Sequence, residues 1–439
     1  MKTFDIRDFG AVAGTKCTEA IQRAIDAACE AGGETVVIPC GEYVTGTINL
    51  RTASLCLEKG AILRGSPDYA DYRFVGYDHS EMGRVHSLIY AMDSDDVHIY
   101  GEGTIDMSGH CFYDMSKRIV PPYAQVELTP EQYAECTASY EHRPNQPLFF
   151  LRCNHIRVEG IRIVDSPCWT LTFVECEDVR VLDLTIDNDL RIPNNDGMHF
   201  CSCKGVVIRG CNVSAGDDCI ALTCITDWNK PCQDFVISDC VLRSCSKAIV
   251  IGYMHSIVRN VTVTNCVVRE SNRAFCVMSS TGGLVENVAV SNMVLDTRVR
   301  AGNWWGNGEP VCVMGTYHEM SHYRDAAPQR EKHACVRNIL FQNLCCTGEN
   351  AIAVVGQDDS MENVRFDHLT MQLKDSGNLC IKGRVIDISP AENDAFLPDE
   401  PTWLYLRGVK DVTVTNAYVA PFHGEQPVAY VENCRNVCC

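Results

Sequence analysis

The 439-residue chain has no run of about 18 or more apolar residues, so nothing in it reads as a membrane-spanning helix. It is short of positive charge: 38 Lys and Arg against 57 Asp and Glu leave a formal charge of −19. A field of that sign repels polyanions at long range, which excludes nucleic acid as a natural partner. It argues weakly against a long polyuronate as well, because a local basic cleft overcomes net charge. The opening MKTFDIRDFG has neither an apolar h-region nor a small-residue cleavage site, and a cytoplasmic location is the expectation. No tight CxxC pair faces a second one, so no structural zinc is expected, and no motif calls for a cofactor. What the chain has in excess is cysteine, 27 in all. These recur inside apolar strand-like runs such as FCVM and EPVCVM, where free thiols behave as small buried hydrophobes. Reduced core cysteines, rather than a disulfide scaffold, are therefore expected.

Short β-branched runs recur from about residue 150 onward, each following an Asn, Asp or Gly turn: NHIRVEGIRI, EDVRVLDLTI, KGVVIRGCNV, QDFVISDCVL, RNVTVTNCVV, ENVAVSNMVL, RNILFQNLCC, ENVRFDHLTM, KDVTVTNAYV. One equivalent apolar position per unit gives Ile156, Val179, Val206, Phe235, Val261, Val288, Ile339, Val364 and Val412, with a fragment at Val437. Most steps are roughly 23 to 29 residues, the period of a solenoid. Two are about double and hold either a missed coil or an insertion. The units alternate with period 2 and leave no room for a crossover helix, so each strand pairs with its equivalent one turn away. That is an all-β chain: a single-stranded parallel β-helix over residues 1–439, with a shallow groove along one outer face.

The N-terminal TEAIQRAIDAACEAGG reads as a helix capping the solenoid end. Ile21, Ala24, Ile25 and Ala28 fall on one face, and Gly32-Gly33 stops it. Two stretches break the rhythm, at about 107–147 and 298–335. Long insertions in a regular solenoid are where pockets are built.

Three carboxylates stand out. Asp196 lies in PNNDGMHF, and Asp217 and Asp218 lie in AGDDCIAL. Val206 and Phe235 bracket the second motif, so the two motifs are about one coil apart. Residues in register on successive coils stack at about 4.8 Å. Crowded carboxylates cannot all ionise freely, so at least one holds its proton more tightly than a lone carboxyl. A protonated acid beside an ionised base is what glycosidic cleavage needs.

On these motifs the chain resembles glycoside hydrolase family 28, the polygalacturonases and rhamnogalacturonan hydrolases. FDIRDFGAVAG, the helix, GGETVVIPCGEYVTGTINL, SPCWTL at 166–171, NND at 194–196 and GDDCIAL at 216–222 carry the resemblance across nearly the whole chain. It implies a right-handed β-helix and an inverting hydrolase. By similarity Asp217 is the general acid, while Asp196 and Asp218 hold and deprotonate the attacking water.

Departures from the family pattern point to an altered subsite. The family's Gly-His-Gly falls at Ser246-Lys247-Ala248, so Lys247 stands for its histidine. The family's Arg-Ile-Lys, which binds the substrate carboxylate, falls near Cys276-Val277-Met278, where no cation remains. Lys247, Arg273, Arg298 and Arg300 are the candidate surrogates, and each has the plainer role of a coil cation as its alternative. His199 and His255 are the candidates for the lost histidine. Trp304 and Trp305, on a loop with Gly302, Gly306 and Gly308 and with Glu309 next, are candidates for stacking on a sugar face. Tyr317 is a looser candidate for the cleavage subsite.

The resulting expectation is an exo-acting, inverting glycoside hydrolase on short pectin- or plant-cell-wall-derived oligosaccharides or glycosides, with no metal and no cofactor. The oligomeric state is left open. One alternative is another carbohydrate chemistry on the same fold, a fructan-type transferase or a lyase; the other is a non-catalytic glycan-binding β-helix.

Overall fold

The computed structural model describes residues 2–119, 128–227, 229–280, 282–301, 305–316, 335–357, 359–375, 385–388, 395–398 and 400–439. These wind into a right-handed parallel β-helix. One sheet of 22 strands runs from Thr3–Asp5 to Arg435–Cys438, and a second of 12 strands runs from Ile48–Asn49 to Val428–Glu432. The apolar series read from the sequence is one continuous ladder. Ile156 pairs with Val179, then Val206, Phe235, Val261, Val288, Ile339, Val364, Val412 and Val437. Val288 pairs directly with Ile339, and Val364 with Val412, so both double spacings are insertions and no coil is missed.

The turns explain the asparagines. Asn260, Asn287, Asn338 and Asn363 all have φ between 56° and 58°, a region that a short amide side chain tolerates. Each amide donates to the one below: Asn287 to Asn260, Asn338 to Asn287 and Asn363 to Asn338, at 3.2, 3.2 and 2.8 Å. The cysteines have a parallel role. All those described are free and most are buried. Cys153, Cys176 and Cys203 sit on successive coils and each points its thiol at the carbonyl two residues earlier, at 3.4 to 3.5 Å.

The helix Thr18–Glu30 buries Ala20, Ile21, Ala24, Ile25 and Ala28 against the N-terminal end, and Gly32 and Gly33 follow with φ of 105° and 86°. The insertion at 107–147 forms an antiparallel hairpin, Tyr113–Ile119 with Thr137–Tyr140, around a short helix Pro130–Glu135. A further hairpin, Phe74–His79 with Gly83–His86, has no counterpart in the sequence reading. Both lie over the outer face of the 12-stranded sheet. Of the 298–335 insertion only its start, 298–301 and 305–316, is described, together with Cys335. Trp304 and Tyr317 lie outside the described residues. Among the described residues no helix is long and apolar enough to cross a membrane.

Candidate active site

The site begins with register. In the 12-stranded sheet Leu171, Met198, Ile220, Ile249, Phe275 and Val311 are successive partners pointing into the core. Two residues before each lie Trp169, Asp196, Asp218, Lys247, Arg273 and Glu309. One equivalent position on six coils therefore carries an aromatic, two acids, two cations and an acid. Asp217 immediately precedes this stripe.

Local packing brings the stripe together. Asn195 accepts the Gly216 N–H at 2.5 Å and donates to Asp189 O at 2.9 Å, bolting the loop before Asp196 onto the coil that carries Asp217. A side chain on Gly197 would meet Val213 and Cys219 at 2.5 and 2.6 Å, so the coils approach this closely only with glycine there. The glycine of the NDG motif is thus a packing requirement.

The carboxyls do not share one environment. Asp218 accepts from Lys247 twice, from its backbone N–H at 3.1 Å and from Nζ at 3.0 Å. Lys247 Nζ also reaches Ser246 Oγ at 3.0 Å and lies 5.1 Å from the Trp305 ring. Burial opposes the charge on Lys247, but Asp218 and Asp217 hold its affinity for the proton above the ordinary value. Asp217 is pushed well up, first by burial and then by Asp196 and Asp218. Asp196 is raised in the same way, by burial and then by Asp218, and its Oδ1 is buried without a hydrogen-bond partner. Burial and mutual repulsion thus favour the protonated form of the pair. His199 donates from Nδ1 to Asp196 Oδ2 at 3.2 Å and accepts from Thr223 Oγ1 at Nε2, 3.1 Å. Burial holds its imidazole down to about 3, so it is neutral and this contact is a hydrogen bond rather than an ion pair. Trp169 stacks on it at 3.8 Å.

These groups line a cavity of about 430 Å³ whose walls also include Glu81, Tyr140, Asn194, Tyr253 and Trp305. Of the residues singled out from the sequence, Asp196, Asp217, Asp218, His199, Lys247 and Trp305 meet there. The others are placed elsewhere. Arg273 and Glu309 are fully buried and pair with each other at 3.2 Å. Arg298 is tied to Glu135 at 2.6 Å, and Arg300 donates to Glu270 O. His255 is buried in a turn and is not among the lining residues. Cys276 and Met278 are roofed by Ile386 and Ile388. Glu81, Asn194, Tyr140 and Tyr253 were not foreseen. Asn194 is the first residue of the NND motif, the signal by which it could be found.

A parallel β-helix with carboxyls clustered in a cavity on its outer face is the architecture of a carbohydrate-active enzyme. The profile of glycosyl hydrolases family 28 matches residues 29–382, and the chain belongs to that family; it is a glycoside hydrolase by class. It is 22% identical to polygalacturonase QRT2 of Arabidopsis thaliana over 370 residues, 80% of this chain and 73% of that one. It is 25% identical to an exopolygalacturonase of Zea mays over 228 residues, 50% of this chain and 48% of that one. In fold it is similar to the family 28 exopolygalacturonase of Yersinia enterocolitica, with a TM-score of 0.67 and 18% identity over 99% of this chain and 78% of that one.

Proposed function

We propose that this protein is an inverting, exo-acting hydrolase of short pectin-derived oligosaccharides whose cleavage subsite accepts a sugar without a carboxylate. The walls that flank the cavity carry the exo reading. The groove of the β-helix is open along its length in principle, but here the hairpin Phe74–His86 and the 113–140 hairpin stand over one side of the carboxyls. Trp305, packed against the cluster that holds Ile386 and Ile388, flanks the other. A chain end fits such a space; the middle of a polymer does not.

In this reading Asp217, protonated because it is buried beside two other carboxyls, gives its proton to the leaving oxygen. Asp218, paired with Lys247, and Asp196, oriented by neutral His199, hold and deprotonate the attacking water. Lys247 replaces the family histidine in steadying Asp218. The charge balance of the cavity supports the substrate reading. Glu81, Asp196, Asp217 and Asp218 face it, and Lys247, the one cation among the described residues that line it, is already tied to Asp218. A buried uronate without a free cation carries an uncompensated desolvation cost. The experiment is incubation of the purified protein with pectic oligosaccharides of defined ends, products read by mass and the first-formed anomer by NMR. Single-residue release with inverted configuration is expected from neutral-ended substrates. Retention of configuration, or efficient release of galacturonate from oligogalacturonides, overturns the reading.

A further inference from the structure

Arg143 is a partly buried guanidinium that, among the described residues, has only neutral oxygens as hydrogen-bond partners. It comes from the end of the 107–147 insertion and lies against the Tyr140 ring at 4.1 Å and near the Tyr113 ring at 5.9 Å. Its Nη1 donates to the Tyr113 hydroxyl, to Pro193 O and to Pro167 O. Its Nη2 donates to Asn194 Oδ1 at 2.9 Å. Keeping a guanidinium in such a place without a counter-ion is costly, which calls for a function.

The Asn194 contact supplies one. The two ends of an asparagine amide are nearly the same shape, and only their hydrogen bonds tell them apart. Arginine can only donate, so the end facing it is the oxygen. Nδ2 must then point the other way, and it does: it lies 3.4 Å from Asp217 Oδ2. Asn194 also holds φ at 56°, and Arg143 grips the Pro193 carbonyl just before it.

We propose that Arg143 is a positioning residue that locks the Asn194 amide with its N–H toward Asp217, so that the carboxyl left after proton donation is met by a donor on each oxygen. The other oxygen, Oδ1, accepts the Asp218 N–H at 3.0 Å. This assignment rests on the reading of Asp217 as the general acid. Without Arg143 the amide turns over and offers Oδ1 to Asp217. An acceptor there holds the proton on Asp217 and keeps it from the substrate. The groups acting on Asp217 from the neighbouring elements are Asp196, Asp218 and Lys247, with the Ser246 hydroxyl, and Cys168 lies near both Asp217 and Arg143. Donors to the ionised form lower an acid's proton affinity, and losing one raises it.

The test is the pH profile of kcat/KM for the wild type, Asn194→Leu, Arg143→Lys, Arg143→Met and the double variant Arg143→Met with Asn194→Leu. The alkaline limb is expected to move up by roughly one pH unit in Asn194→Leu and Arg143→Met, with kcat about 10- to 100-fold lower. Arg143→Lys, which keeps a donor and loses the fork, falls between them and the wild type. The double variant moves no further than either single one, because both act through one contact. Should Arg143→Met not fold, Arg143→Lys, which keeps the charge and loses the fork, carries the test. An unmoved limb with only a lower melting temperature, or shifts that add in the double variant, overturns the proposal. Asp217→Asn separates the two failures. A dead Asp217→Asn with an unmoved limb in Asn194→Leu defeats this proposal only, whereas an active Asp217→Asn defeats the reading of the acid.

Discussion

At the scale of single residues the site sets activity against stability, and the sign follows from burial. Asp196 and Asp217 are raised well above the ordinary carboxylate range. A carboxyl whose folded affinity for the proton exceeds its unfolded one contributes stability below the unfolded value, about pH 4, and loses it as pH rises through the folded value. By pH 7 part of that contribution is lost. Asparagine, of the same shape and uncharged, does not lose it. Asp217→Asn and Asp196→Asn are therefore expected to cut kcat by roughly 10²- to 10⁴-fold and to raise the melting temperature at pH 7, a gain that vanishes near pH 4. Thermal unfolding at the two pH values checks it, and a variant less stable at pH 7 than the wild type counts against crowded, buried acids. The three aspartates were legible in the sequence because the period placed both motifs on neighbouring coils. The arginines were not: Arg298 meets a glutamate 163 residues away and Arg273 one 36 away, and nothing in a repeat pattern announces such partners.

At the scale of elements, what shapes the cavity is what interrupts the repeat. The hairpin Phe74–His86 is bolted down at several points. His79 is buried and its Nδ1 accepts the N–H groups of Glu81 and Met82 at 3.1 and 3.2 Å. Ser80 donates to Ile225 O at 2.6 Å, and the Asn145 amide holds the carbonyls of Met82 and Arg84. The tip that carries Glu81 over the cavity is therefore fixed. It escaped notice because its alternating residues fit another pair of coil strands, and the antiparallel turn at Ser80–Met82 lacks an Asn-Gly or Asp-Gly signal. A fixed carboxylate at the mouth repels a uronate by like charge. Glu81→Lys is expected to raise kcat/KM for galacturonate-ended oligosaccharides relative to neutral-ended ones by about tenfold or more, read by competition between the two substrates in one tube. An unchanged ratio removes Glu81 from specificity.

At the scale of the whole molecule, a coil ladder of this regularity produces a long open groove, and the segments that interrupt it convert it into a pocket. The sequence showed where the ladder breaks, but the way the breaks lock each other depends on contacts between distant segments. Gly306 N donates to Asp387 Oδ2 at 2.6 Å, and Arg273 Nη2 to Asp387 O at 2.5 Å. Asn307 and Asn350 donate to Val385 O at 2.6 and 3.0 Å. The buried Arg273–Glu309 pair lies beneath, so breaking either partner strands a charge and loosens the roof. Trp305 is the part of this roof that reaches the chemistry, beside Lys247 and stacked near Tyr253 at 5.7 Å. Removing its ring opens the cavity along the floor formed by Ala221 and Val250 without touching a carboxyl or the ion pair that anchors the loop. Trp305→Ala is therefore expected to keep the pH profile and the product anomer of the wild type. It should raise KM by about 10-fold through lost stacking, and release fragments longer than one residue alongside the terminal sugar. Product length against time, by mass spectrometry on an oligosaccharide of about six residues, decides it. If products remain single residues while KM rises, the wall that enforces end-wise cleavage is the pair of hairpins on the far side, and the roof serves affinity alone.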